Sequence, residues 1–434
     1  MRILIVSHNL LSHTSNMGKT MMSYFCGIEG MEMAQFYIHS EIPTDSSVCR
    51  NYYRFTDKDA IHSLNPFGTY GNIFGAEDIR PDRLISRTDS GLLNTAYRIG
   101  AKRSAFIYAA RNLLWKLGRW NTPKFWKWVE EFSPDVIFFA SGDYAFMYDI
   151  ARKIAEHVDR PLVVACVDDY YLHNRNIDSL LGRLQHRLFL QTVRKTMARA
   201  DRIFAICESM KEAYEKLFQK QCYVLHTAAS SAGETEPVAC SGQISYLGNL
   251  SLGRAEQLVT MGRAMKKNNG WIDVYSGEKD RQYLKGLTAE NGIRFHGGVS
   301  SAEVLKVMTS SKAVIHTESF ETQFQNITRH SVSTKIADSL MNGPCIIAYG
   351  PEGIASIDYL KENRAAYVIS DSAYLEPGLR EILSNTALRN EIVINARILA
   401  NKNHHPQTNP SNVCKWLKEV CDNWEQTALR SISR

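Results

Sequence analysis

No stretch of this sequence strings together the 18 or so apolar residues that a membrane-spanning helix requires, and its opening segment, MRILIVSH, turns polar too early for a signal peptide. That segment reads as a first buried strand. No two cysteines have the C-x-x-C spacing of a zinc or redox site; the nine are scattered from Cys26 to Cys421, several inside apolar runs such as VVACV and IFAIC. Buried free thiols and a reducing, cytoplasmic compartment are expected. Like charges never gather into a long block, charged residues make up 22%, and the net charge of +6 is small for 434 residues. Disorder is thereby excluded, and nucleic acid is not an expected partner. No internal repeat is visible.

What is present is alternation. Runs such as RILIVS, VIFFA, LVVACV and RIFAIC, and later ISYL, IDVY, AVIH and CIIAY, are each followed by a stretch of helical periodicity. This is the pattern of parallel sheets covered by helices. A length of 434 residues with 44% hydrophobic content is enough for two cores. The expected fold class is α/β, with two tandem doubly wound Rossmann-like domains, an interdomain cleft and a C-terminal helix. Residues 1–228 and 243–409 form the domains, 229–242 (small, polar and proline-containing) the linker, and 410–434 the helix. Residues 41–92 show little periodicity and read as a long insertion or loop system.

In doubly wound sheets, ligands bind beyond the carboxyl ends of the strands. Three stretches of the second half place polar groups there. ISYLGNLSLGRAEQL brings Asn249, Gly253 and Arg254 to a helix start, where free N–H groups and a guanidinium suit a diphosphate. GIRFHGGVSSAEV ends a strand in Gly297-Gly298, which with Gly277 after the preceding strand lets the backbone approach a flat base. RHSVSTKIADSLMNGP starts a helix at Ser333 and Thr334, with Lys335 and Asp338 spaced i, i+3 for phosphate and ribose.

This ordered set, together with ADRIFAICESM and STKIADSLMNGPCIIAYGPEG, resembles the GT-B glycosyltransferases related to glycosyltransferase family 4. The resemblance implies a cytoplasmic, metal-independent hexosyltransferase of polysaccharide or glycoconjugate biosynthesis, acting with retention. It needs no cofactor: a UDP- or GDP-sugar is the co-substrate, and a saccharide or lipid-linked saccharide is the acceptor. In the family a Gly-Arg turn and a lysine grip the diphosphate; the matching positions are Asn249 and Arg254. The family's ribose-binding glutamate falls at Asp338 and its second glutamate at His330, so Glu318 and Lys335 are expected to supply donor-sugar contact and phosphate charge.

The first domain is then the acceptor side, with Gly18 in its first loop and Asp143, Asp168 and Asp169 at strand ends as candidate catalytic carboxylates. Gly18-Lys19-Thr20 is not a P-loop, because His13 stands where the first glycine belongs. Asp168-Asp169 lacks the separation of a D-x-D metal site, so no metal is expected. Residues 94–128 carry eight Lys or Arg, no acid and four tryptophans, which suggests peripheral contact with an anionic membrane on its inner face. A sugar-nucleotide epimerase of the same architecture, or a degenerate scaffold subunit, stays open as an alternative.

Overall fold

RILIVS forms β1 (Arg2–Ser7), buried over its last five residues as a central parallel strand covered on both faces should be. The computed structural model describes residues 1–12, 16–65, 67–79, 105–172, 179–230 and 242–432, and they fall into two units. The first adds β2 (Glu32–Tyr37), β3 (Asn51–Arg54), β4 (Asn72–Phe74), β5 (Val136–Ser141), β6 (Leu162–Cys166), β7 (Arg202–Ala205) and β8 (Cys222–Val224), in the sheet order β4-β3-β2-β1-β5-β6-β7-β8. Its pairings are parallel except for β4, which runs antiparallel on β3. The order reverses between β1 and β5, and the loops after these two strands flank a crevice position.

The second unit contains β9 (Ile244–Leu247), β10 (Ile272–Tyr275), β11 (Ile293–Gly297), β12 (Ala313–Thr317), β13 (Cys345–Tyr349) and β14 (Tyr367–Ile369). They form an all-parallel sheet in the order β11-β10-β9-β12-β13-β14, which reverses between β9 and β12. Both sheets are doubly wound, as the alternation predicts.

The chain enters the second unit at His226 and returns to the first at Asn409. Residues 231–241 of the expected linker lie outside the described residues. The C-terminal helix, Thr408–Ile432, buries Val413, Leu417 and Val420 in the same cluster as Ile3, Ile5, Val136 and Phe138. Trp416 stacks on Tyr223 at 4.5 Å, and Arg199 lies over Trp424. The first unit is therefore built from both ends of the chain.

One expectation is corrected. Residues 41–92 are not a loop system throughout: they supply β3, β4 and the helix Asp57–His62, whose Thr56 and Asp59 form a reciprocal capping box; residue 66 and residues 80–92 lie outside the described residues. Of the four tryptophans in the basic stretch, Trp126 is half-buried and the other three are buried. Trp115, Trp120 and Trp128 are 2%, 5% and 5% exposed, and Trp120 and Trp128 pack with Phe36, Tyr53 and Phe125. Residues 94–104 of that stretch lie outside the described residues. Among the described residues no helix is long and apolar enough to cross a membrane, and no cluster of His, Cys, Asp or Glu is placed to hold a metal ion.

Candidate functional site

In the second unit the turn after β9 ends at Gly253, which takes φ +75 and whose added Cβ would lie 2.4 Å from Ser319 Oγ. Only glycine fits on both counts, and it delivers Arg254 to the first position of the helix Arg254–Lys267. One guanidinium nitrogen of Arg254 donates to Asn249 Oδ1 (2.9 Å) and another to both oxygens of Glu318 (2.8 and 3.0 Å). Glu318, at the end of β12, is 2% exposed. Burial raises its pKa, and Arg254 draws it back in part. Glu318 thus holds Arg254 in place, each of its oxygens accepting from the guanidinium.

His316, one residue inside β12, donates to or accepts from Ser356 Oγ at 2.9 Å and lies 3.8 Å from Glu318. Burial, with Arg254 and Lys335 adding to it, lowers its pKa to about 3. Lys335 is solvent-accessible, yet surrounding protein and then the charge of Arg254 lower its pKa as well. Lys335 and Arg254 are close enough for their charges to interact, and Arg254 is bound to the buried Glu318 carboxylate. Ser333 sits at the N-cap of the helix Thr334–Asn342 without a side-chain bond to it, so the first-turn N–H groups of Thr334 and Lys335 are left for an anion.

Asp338 does not pair with Lys335. Its carboxylate accepts from the N–H and the hydroxyl of Ser230 (2.6 and 3.1 Å), a tie on the entering chain. His330 lies in the turn before this helix, where Ser331 N–H donates to Thr328 O. Gly277, Gly297 and Gly298 do come together. Ser276 N–H donates to Gly297 O, Gly297 has φ +77, and a Cβ on Gly298 would lie 3.1 Å from Gly277 Cα.

In the first unit a cavity of about 170 Å³ lies at the β1/β5 reversal, lined by His8, Asn9, Gly142, Asp143, Tyr144 and Tyr170 among others. Ligand pockets run roughly 300–1,000 Å³, so this is room for part of a ligand. Asp143 accepts from Tyr108 Oη at 2.6 Å. Tyr144 stacks between His8 (5.5 Å) and Tyr108 (5.3 Å), and Arg111 lies 4.1 Å over its ring. Buried Gln35 fixes the loop after β1 through Ser7 Oγ, Asn9 O and Leu11 N–H. Arg111 can only donate, so His8 Nε2 accepts from it (3.4 Å) and Nδ1–H donates to Asn9 Oδ1 (2.9 Å).

Gly18 is buried in the helix Asn16–Phe25, not in a phosphate loop. Asp169 caps a turn: it is 3% exposed and accepts from Tyr171 N–H, Leu172 N–H and Tyr214 Oη. Asp168 accepts the N–H of Asp169. Tyr108, Arg111, Tyr144 and Gln35 escaped the sequence reading.

Three histidines give the fold a testable acid response. Burial, then Arg111, lowers His8 to about 4; burial, then His404, lowers His226 to about 3; His316 is likewise near 3. Each folded value lies below the unfolded value near 6.5, so the neutral forms stabilise the fold fully above that pH. Stability should fall as pH drops from about 6.5 towards 4 and then 3, by about 1.4 kcal/mol per pH unit for each histidine. Denaturant melts across that range check it, and a flat response between pH 6.5 and 4.5 would contradict it.

Residues 83–229 match Glycosyltransferase Family 4 and residues 254–414 match the description Glycosyl transferase-like. No curated protein sequence matches the chain. Among solved structures, Anabaena HepE in complex with UDP and glucose is similar at 12% identity and a TM-score of 0.61, over 96% of this chain and 99% of that one. Sucrose-phosphate synthase from Thermosynechococcus elongatus is similar at 10% identity and a TM-score of 0.58, covering 96% and 98%. The UDP-forming trehalose-phosphate synthase from Burkholderia xenovorans, solved with glucose-6-phosphate, is similar at 10% and 0.57, covering 96% and 100%. At these identities the likeness is one of fold.

Proposed function

Because the chain is a GT-B glycosyltransferase related to glycosyltransferase family 4, we propose that it transfers a hexose from a uridine diphosphate sugar to a saccharide hydroxyl with retention of anomeric configuration. The observation that carries this reading is the pairing of Arg254 with Lys335 beside a helix start that has no side-chain cap. Departure of the nucleoside diphosphate builds negative charge on phosphate oxygens, and two cations plus first-turn N–H groups stabilise it more than they stabilise the bound donor. The glycine surface of Gly277, Gly297 and Gly298 suits the flat uracil. The UDP bound in the Anabaena structure supports the choice of base.

The acceptor enters the cavity of the first unit, where Asp143, Tyr170 and neutral His8 line the space and offer polar contacts. On this reading the acceptor attacks from the side the diphosphate leaves, and a leaving phosphate oxygen takes the acceptor proton. Lys335→Ala is expected to lower turnover of the preferred UDP-sugar at least ~10-fold, the value of one charge-assisted hydrogen bond. Melting with and without donor should show that the fold is kept and that the stabilisation by UDP shrinks. Unchanged turnover would remove Lys335 from the mechanism, and inverted product configuration by NMR would remove retention.

A further inference from the structure

The helix Ala105–Leu117 has two faces. Tyr108, Arg111 and Trp115 turn towards the cavity and the core, with Arg111 also on Asp57 (3.0 Å). On the other side Phe106, Leu113 and Leu117, spaced i, i+7, i+11, are 71%, 57% and 59% exposed. The helix Leu180–Arg199 packs beside it, joined by Asn112 to Gln185, and exposes Leu180, Leu184 and Leu188 at i, i+4, i+8. A soluble helix turns such a stripe inward. Here two neighbouring stripes of one unit face solvent instead.

Their charge is one-sided. Neither helix contains Asp or Glu, and Lys116, Arg183 and Arg187 are exposed along the stripes. A protein surface that meets this face would have to supply both an apolar floor and an acidic rim. An anionic bilayer supplies both everywhere, with acyl chains beneath negatively charged headgroups. We propose that the face formed by these two helices docks on an anionic lipid surface. This places the expected membrane contact of residues 94–128 on the helix Ala105–Leu117, away from the three buried tryptophans, and extends it to leucines and arginines of a helix outside that stretch. The proposal does not rest on the transfer chemistry.

Its test is co-sedimentation of the full chain with vesicles of phosphatidylcholine, alone or with one-third phosphatidylglycerol, at low salt. Binding is expected only to the anionic vesicles and should weaken in high salt. Arg183→Gln/Arg187→Gln should lower partitioning by roughly 30-fold, from about a fivefold share for each cation near the surface. Leu184→Gln/Leu188→Gln should lower it at least ~10-fold. Both double variants change exposed side chains and should melt as the unaltered protein does. Absence of binding, equal binding to neutral vesicles, or variants that bind undiminished would overturn the proposal. So would a dimer in analytical sedimentation that the leucine variant dissolves while vesicles stay bare, since the face would then belong to a second copy.

Discussion

Arg254→Ala is expected to lose transfer activity by roughly 10- to 150-fold and to melt lower as well. The first loss is the value of a charge-assisted hydrogen bond to the departing diphosphate, about 1.5–3 kcal/mol. The second comes from Glu318, 2% exposed, whose two oxygens accept from the guanidinium. Removing one member of a buried pair costs about 3–5 kcal/mol. Because burial already raises the Glu318 pKa, the instability should ease at acid pH, where the carboxyl takes a proton, and grow as pH rises. Adding Glu318→Gln removes the stranded charge and should restore much of the melting temperature without restoring turnover. If the double variant recovers both, Arg254 serves the fold alone.

Cutting the chain after His405 should unfold the first unit while leaving the second able to melt cooperatively. The deletion strips Val413, Leu417 and Val420 from the core cluster of β1 and β5 and removes the Trp416–Tyr223 stack. A single buried Leu→Ala costs about 2–5 kcal/mol, which approaches the whole stability of a domain, about 5–15 kcal/mol, and the deletion removes three such residues at once. Leu417→Ala alone should lower the stability of the first unit by that single-site amount. Calorimetry of both variants checks the prediction; a first unit that melts unchanged without the helix would refute it.

The two cationic helix starts of the second unit were legible because their signals are local. Gly253-Arg254 follows a strand and opens a helix within a few residues, and Ser333-Thr334-Lys335 opens the helix next after Thr322–Thr328, so local spacing brings a cation and first-turn N–H groups together at each. What spacing does not encode is the partner. Glu318 after β12 and Asp169 after β6 look the same in sequence as a catalytic carboxylate in that position; only the distant Arg254 and Tyr214 decide their roles. The cavity of the first unit was half hidden for the same reason, since Tyr108 and Arg111 hold its Asp143 and Tyr144 from a helix remote from the loop after β1 in sequence. Strand β3 escaped because NYYR is short and its two buried tyrosines are adjacent rather than alternating.

The return of the final helix to the first unit has a consequence for biosynthesis. When β8 leaves the ribosome, the sheet of the first unit is complete but the hydrophobic surface destined for Val413, Leu417 and Val420 is bare. About 180 more residues must be made first, roughly 10–40 s at ordinary elongation rates. The amino-terminal half, synthesised first, finishes last, and the nascent chain exposes that surface throughout the interval.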